Sequence, residues 1–137
     1  LRSTQSLPSR VDADIDQPFK TPAMLKAAEV KFGFGHDGYW QQRNLAYQAG
    51  QAIGFGLSYE DAVAGLTGDL ADILGVSDRL GTLEAGKDAT LFISSGDALD
   101  VRTGNVEQAF IQGRAVDLDN VQKALYRRFK GKYDAER

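Results

Sequence analysis

The chain has 137 residues, of which 42% are apolar and 26% charged, a composition that fits one globular domain with a core of its own. A net charge of -3 gives no general reason to bind nucleic acid or anionic lipid, and no apolar run is long enough to cross a membrane. The absence of cysteine excludes disulfides and thiolate sites, and the single histidine excludes an H-x-H metal pair, while cytoplasm and periplasm both stay open.

The N-terminal part of the sequence predicts loop, then a short helix, then a strand. Residues 1–21 are polar and show no period, so we expect loop or extended chain. The first ten residues lack a signal-peptide core and a starting methionine, so we expect a chain that was cut from a longer one or processed. Thr21 and Pro22 predict a helix start, with the helix over residues 23–29. Residues 30–34 alternate and then turn apolar, which predicts a buried strand.

Two helices are predicted in the middle of the chain. Asn44 is expected to cap a helix over residues 45–55, and Gly50 and Gly54 inside it indicate close packing against a neighbour. Ser58, followed by two acidic residues, is a strong start for a second helix. Its apolar residues keep helical spacing as far as Leu74, and Gly75 would end it.

The C-terminal half predicts strands and a last helix. Residues 89–94 form a β-rich run, and residues 106–111 and 114–116 flank Gln112-Gly113 as in a hairpin. Asp117 or Asp119 is expected to cap the final helix, which has an apolar stripe at i, i+4 spacing. Its basic residues fit a solvated face near the negative helix end better than a binding surface.

One short segment, "VKFGFGHDG" over residues 30–38, admits three interpretations. Its glycines have the G-x-G-x-x-G spacing of a dinucleotide site, but that mechanism needs a helix to begin inside the turn, and none is predicted there. Asp37 follows a strand, where a carboxylate can bind a divalent cation or accept a proton. In the third interpretation, Asp37 only bonds loop amides and His36 is an ordinary exposed histidine.

A longer string resembles a known family. The most specific segments are "ILGVSDRLGTLEAGKDATLFI" and "VEQAFIQGRAV", and similarity extends upstream through "SLPSRVDADIDQPFKTPAMLKAAEVKFGFGHDG". These segments resemble the C-terminal part of the amidohydrolase superfamily, most closely its imidazolonepropionase-like members. The resemblance implies a fold class of α/β with β: the last strand and helices of a (β/α)8 TIM barrel, part of the family's β-sandwich, and a C-terminal helix.

The same resemblance implies domains and a site. Residues 1–78 would be the barrel segment, residues 79–117 the sandwich segment and residues 118–137 the C-terminal helix. Asp37 would close the eighth strand, contact a divalent metal, zinc above all, and shuttle a proton. The parent would be a hydrolase that cleaves non-peptide C-N bonds of cyclic amides or related small molecules by metal-activated water. The residues expected to line its substrate pocket are Arg10, Tyr39, Trp40 and Gln41.

The sequence also departs from the family's pattern. His36 stands where relatives usually carry serine or threonine, and Gly68-Asp69 replaces a common Asn-Pro. The H-x-H pair and the other metal ligands of the family are not in this sequence, so we expect the chain to be inactive alone. The expected partner is the remainder of the barrel, with no nucleic acid or membrane involved. The alternative is a non-catalytic module that assembles with a partner or with itself through open β edges.

Overall fold

The computed structural model describes residue 1, residues 4–7 and residues 10–135, and in this part of the chain it contains five α-helices and one three-stranded sheet. The prediction of a chain that mixes helix and strand is confirmed. None of the described helices is both long enough and apolar enough to pass through a bilayer. The helices are α1 (Gln17–Ala27), α2 (Leu45–Ile53), α3 (Tyr59–Leu66), α4 (Gly68–Ile73) and α5 (Val121–Ala135), and the strands are β1 (Leu91–Ser94), β2 (Val106–Ile111) and β3 (Arg114–Ala115).

Helix α1 begins earlier than the sequence predicted. The proline in its first turn is Pro18, where the missing N–H would have had no helical partner anyway. Pro22 lies inside the helix and is buried. The predicted start at Pro22 was therefore wrong, because the sequence offers two prolines and the upstream one takes the starting position.

The core lies between α2, α3 and the extended segment Phe32–Phe34. Small side chains on α2 and α3 let these elements approach closely, and the two phenylalanine rings meet edge to face at 5.5 Å. Leu99, from the loop after β1, completes the cluster. The buried members are Phe32, Phe34, Ala49, Ala52, Leu57, Ala62 and Leu99.

The two glycines of α2 have different roles. A Cβ atom on Gly50 would lie 2.1 Å from the carbonyl oxygen of Leu99, so the predicted close packing is confirmed there. Among the described residues, a Cβ atom on Gly54 would meet only the carbonyl oxygen of Gln51, at 3.4 Å, and Gly54 is the C-terminal cap of α2. The packing prediction was wrong for Gly54. The helix itself ends at Ile53, slightly before the predicted boundary.

The predicted second helix is broken into α3 and α4. Ser58 caps α3 as predicted, since its hydroxyl accepts a hydrogen bond from the Asp61 N–H at 3.0 Å. Thr67 leaves the helical region, at φ -129° and ψ -91°, and its hydroxyl donates back to the Val63 carbonyl at 2.7 Å. Such back-bonding competes with the helix, and Gly68 follows it, so the single helix was wrong. Gly75, at φ +69°, ends the helical region as predicted.

The sheet has the order β1-β2-β3, with both pairs antiparallel. The predicted hairpin is confirmed: Gln112 and Gly113 both have positive φ, at 50° and 76°, which is the two-residue turn that matches strand twist. Residues 30–34 were predicted to form a buried strand. Phe32 and Phe34 are buried, but the segment is not among the strands of the described residues, so the prediction of a strand was wrong there.

Helix α5 is exposed along its whole described length. Asn120 lies just before it and accepts the Lys123 N–H at 2.9 Å, so neither Asp117 nor Asp119 is the cap that the sequence predicted. Asp119 instead pairs with Arg127. The prediction of a solvated basic face is consistent with this exposure.

Candidate active-site loop

The segment before Asp37 is extended and anchored on both sides. The Phe34 N–H donates to the Gly65 carbonyl at the end of α3, at 2.9 Å. The Leu1 nitrogen donates to the Gly33 carbonyl, and the Gly35 N–H donates to the Leu1 carbonyl at 2.8 Å. In a parallel strand pair, one residue bonds through its N–H and its carbonyl to the two residues that flank the residue opposite it. Leu1 therefore bonds on both sides of Phe34 in the hydrogen-bond pattern of a parallel pair, although neither residue lies in one of the strands β1 to β3.

A tight turn presents Asp37 at the end of this segment. The Gly38 N–H donates to Nδ1 of His36 at 2.9 Å, and the imidazole is largely covered, with 14% of it exposed. Nδ1 must therefore carry the lone pair, which places the ring proton on Nε2. A Cβ atom on Gly38 would meet Oε1 of Gln41, so a side chain there would require the end of the Gln41 side chain to move. The Asp37 carboxyl lies 3.7 Å from Nδ1 and is 60% exposed.

This bond gives His36 a physical role. Serine and threonine hydroxyls often accept the N–H two residues later and so close a turn. Nδ1 of His36 makes the same i to i+2 contact in this chain. His36, which stands where relatives usually carry serine or threonine, therefore still provides the acceptor that closes the turn.

The predicted pocket residues divide between two places. Tyr39 and Trp40 follow Asp37 after Gly38 and are strongly exposed, with their rings edge to face at 5.5 Å. Gln41 belongs to the same loop, where its N–H donates to the Gly38 carbonyl at 3.1 Å. Arg10 lies in an exposed bend and pairs with Asp12 at 3.0 Å. Three of the four residues thus lie in the same loop as Asp37, and Arg10 lies elsewhere in the chain. The pocket itself stays a prediction.

One residue of this loop was missed. Arg43 lies over the ring of Trp40, with its guanidinium carbon 5.4 Å from the ring centroid. The signal was available, because an aromatic residue and an arginine three positions apart lie on one side of a helical turn, and residues 42–44 form a 3-10 turn.

The described residues do not by themselves form a metal site. Among them, no three histidine, aspartate or glutamate side chains lie close enough together to hold a metal ion. Hydrolytic zinc sites use three or more protein ligands and a water molecule. Asp37 can supply one carboxylate, and the described part of this chain does not supply the rest.

A groove beside α2 is a second feature of the described residues. It has a volume of about 630 Å³ and runs between α2 and the loop that carries Leu99. At its edge the Tyr59 hydroxyl donates to Asp97 at 3.0 Å, and this hydrogen bond raises the pKa of Tyr59 above its ordinary value of 10.0. Asp37 does not line this groove, so the groove and the candidate site are separate features.

Comparison with known proteins gives consistent matches. The model of the "Amidohydrolase family" matches residues 17–116. A curated relative, amidohydrolase tasK of Hapsidospora irregularis, is 36% identical over 73 residues, which are 53% of this chain and 7% of that protein.

Solved structures agree. An amidohydrolase from Thermotoga maritima MSB8 superposes with a TM-score of 0.67 and 32% identity, over 77% of this chain and 28% of that one. A prolidase complexed with N-methylphosphonate-L-proline gives a TM-score of 0.58 and 26% identity, over 75% of this chain and 27% of that one. The chain thus spans less than a third of the proteins it matches.

Proposed function

This chain belongs to the amidohydrolase family, and on that premise we propose that it is the C-terminal part of a metal-dependent hydrolase of C-N bonds. Residues 1–78 would close a (β/α)8 barrel, residues 79–117 would be part of a β-sandwich, and residues 118–137 would form the C-terminal helix. The finer resemblance, to imidazolonepropionase-like members acting on cyclic amides, belongs to the same proposal. The prolidase among the structural matches widens the substrate class to amide bonds in general.

The observation that carries this proposal is the position of Asp37. Reactive groups of barrel enzymes lie beyond the carboxyl ends of the strands. Asp37 lies just beyond the segment in which Leu1 bonds to Gly33 and Gly35 in a parallel pattern, and the turn around it is closed by the bond from the Gly38 N–H to His36. Parallel pairing is the arrangement that barrel strands have, which supports assigning this segment to the eighth strand.

Asp37 is the catalytic residue that we assign to this chain. An exposed carboxylate can take up a proton and return it as a C-N bond is hydrolysed. It would also be one ligand of a divalent metal, zinc in our proposal, whose other ligands lie outside the described residues. Tyr39, Trp40 and Gln41, and Arg10 from the N-terminal bend, would line the substrate pocket.

The partner in this proposal is the remainder of the barrel. The sheet has apolar side chains exposed on its strands, including Phe92, Ile93 and Ile111, and none of its described residues is buried. Three strands without a covering layer are marginally stable in water. Further strands and helices from the rest of the enzyme would cover them.

The test is to express the complete parent with Asp37→Asn. Because Asn keeps the shape and cannot carry the proton, turnover of an amide substrate should fall about 100-fold or more while the melting temperature stays the same. Asp72→Asn is the matched control, since Asp72 pairs with Lys31 on the surface of α4 and should leave turnover unchanged. Near-normal turnover in Asp37→Asn would remove Asp37 from the active site.

The second candidate function is a non-catalytic module that assembles with itself. Two observations on the described residues favour it. They form no metal cluster, and no further strand among them pairs with the outer edge of β1 or of β3. A metal-free homo-oligomer in solution is the outcome expected of such a module. A stoichiometric metal in a complex with a histidine-bearing segment is the outcome expected of the enzyme.

A further inference from the structure

The loop after Asp37 carries an exposed combination of two aromatic rings and one cation. Tyr39 is 80% exposed and Trp40 is 66% exposed, although large aromatic side chains usually bury most of their surface. Their rings meet at 80°, so they form a corner rather than a flat stack. Such a corner offers two apolar walls to a small molecule.

Arg43 supplies the charge at this corner. Its guanidinium carbon lies 5.4 Å from the Trp40 centroid, a position in which the ring holds the cation by its π-face. Stacking leaves the N–H groups at the edge of the guanidinium available to donate. Four other arginines, Arg10, Arg79, Arg102 and Arg127, each pair with an aspartate, but no carboxylate among the described residues lies within ion-pair distance of Arg43.

We propose that Tyr39, Trp40 and Arg43 form a binding site for a small organic carboxylate that carries an apolar ring or chain. The guanidinium fork fits a carboxylate through two parallel hydrogen bonds. The rings would hold the apolar part next to it. In the proposed hydrolase this would be the carboxylate of the substrate, and that assignment alone rests on the proposed function.

The position of the corner links it to Asp37. The loop is fixed at Gly38, whose carbonyl accepts the N–H groups of Gln41 and Gln42 at 3.1 Å and 3.2 Å. Asp37 is the residue before Gly38, and Trp40 and Arg43 follow Gly38 in the same loop, so in the proposed hydrolase the loop that carries Asp37 would also carry the carboxylate site.

The protein provides its own probe, because Trp40 is the single tryptophan in the sequence. We would titrate the 137-residue chain with N-acetyl-L-proline and follow Trp40 fluorescence, with N-acetyl-L-prolinamide as the uncharged match. The carboxylate should give a saturable change, and the amide should bind about tenfold more weakly or worse, since it loses the charge-assisted pair.

Variants separate the site from a nonspecific effect. Arg43→Gln should weaken carboxylate binding to the level of the amide, and Arg43→Lys should fall between, because lysine keeps the charge without the fork. Arg114→Gln is the control: it removes an exposed arginine on β3 and should bind like the original chain.

The proposal is overturned if the carboxylate gives no saturable change, if the amide binds equally well, or if Arg43→Gln binds like the original chain. An equal response to inorganic phosphate at the same ionic strength would also overturn it, since that would be a general anion site without a role for the rings. The assay needs neither metal nor turnover. Its failure is therefore distinct from a failure of the hydrolase assignment.

Discussion

The helical region, residues 17–76, and the C-terminal strands and helix, β1 to β3 and α5, both have apolar side chains at regular spacing, but only the first buries them. Phe34 is 3% exposed in the core, whereas Phe92 on β1 is 52% exposed. Among the described residues, none in the three strands or in α5 is buried. Apolar periodicity therefore predicts which face of an element packs against another element. Whether that face is buried depends on whether the chain contains the element that packs on it.

Replacing one phenylalanine in each region should give the largest difference in stability between the two regions. Phe34→Ala should lower the free energy of unfolding by about 3–5 kcal/mol, because a cavity remains beside Phe32. Phe92→Ala, the matched change on β1, should cost less than about 1 kcal/mol. Urea unfolding followed by circular dichroism measures both. Equal losses would mean that the sheet is packed as tightly as the helices.

Glycine gives a second pair of variants. Gly50→Ala should cost about 1–3 kcal/mol, since the new Cβ would meet the Leu99 carbonyl oxygen at 2.1 Å. Gly131→Ala in α5 meets nothing within 4 Å and should increase helix content, with a gain of up to about 1 kcal/mol confined to α5. Thermal melts at 222 nm distinguish the two. A Gly50→Ala chain as stable as the original would mean that Leu99 does not pack on α2.

The N-terminal caps of α3 and α5 test the same difference between a packed and an unpacked helix. Ser58→Ala removes the cap of a packed helix and should lower global stability by about 1 kcal/mol. Asn120→Ala removes the equivalent bond at α5, which has no packed face, so we expect local fraying without a shift of the main transition. Hydrogen exchange resolved by residue separates a global loss from a local one. A shift of the main transition in Asn120→Ala would place α5 in the cooperative unit.

The smallest expected effect is a pH dependence. Lys26 on α1 pairs with Asp61 on α3 at 2.7 Å, and this bond, followed by the one from Ser58, lowers the pKa of Asp61 below its ordinary value of 3.8. Stability from Asp61 is thus fully present above that ordinary value and is lost as pH falls through the lower value of the folded state. The same pair raises the pKa of Lys26 above 10.5, so its share is present below that value and is lost as pH rises through the higher one.

The variant Lys26→Met should flatten both limbs of that profile slightly, because a solvent-exposed pair contributes little. Lys130→Met is the control, since Lys130 pairs with Asp134 within α5 and joins no two elements. Unfolding midpoints between pH 3 and pH 11 would be compared at fixed ionic strength, with the range chosen to bracket both groups. An unchanged acid limb in Lys26→Met would mean that the pair does not form in solution.

Local signals in the sequence were enough for elements whose structure depends on near neighbours. The hairpin at Gln112-Gly113 follows from two residues that tolerate positive φ, and the Ser58 cap follows from one hydroxyl at the start of an apolar period. The wrong predictions share a cause. At Pro22 and at Asp119 the sequence offered a second proline or a second capping residue nearby, and at Thr67 the hydroxyl bonds back to the Val63 carbonyl, so several local signals competed.

The site was less predictable than the fold. Asp37 was predicted as a site residue from its place after an apolar run and from the family resemblance, and it stays a prediction. The bond from the Gly38 N–H to His36 depends on a side-chain position that no sequence pattern specifies. Arg43 was missed although its spacing of three residues from Trp40 is a signal for such a contact, because no helical turn was predicted at residues 42–44. The ligands that would complete a metal site depend on residues outside the described chain.

The most direct test of the central claim is a native mass and metal measurement. The chain would be measured alone and then together with the segment encoded upstream of Leu1. We predict an assembly of one copy of each part that carries a stoichiometric divalent metal, and no bound metal in the chain alone, because Asp37 offers a single ligand. A metal-free homo-oligomer under both conditions would contradict the claim that Asp37 belongs to an active site completed by another segment.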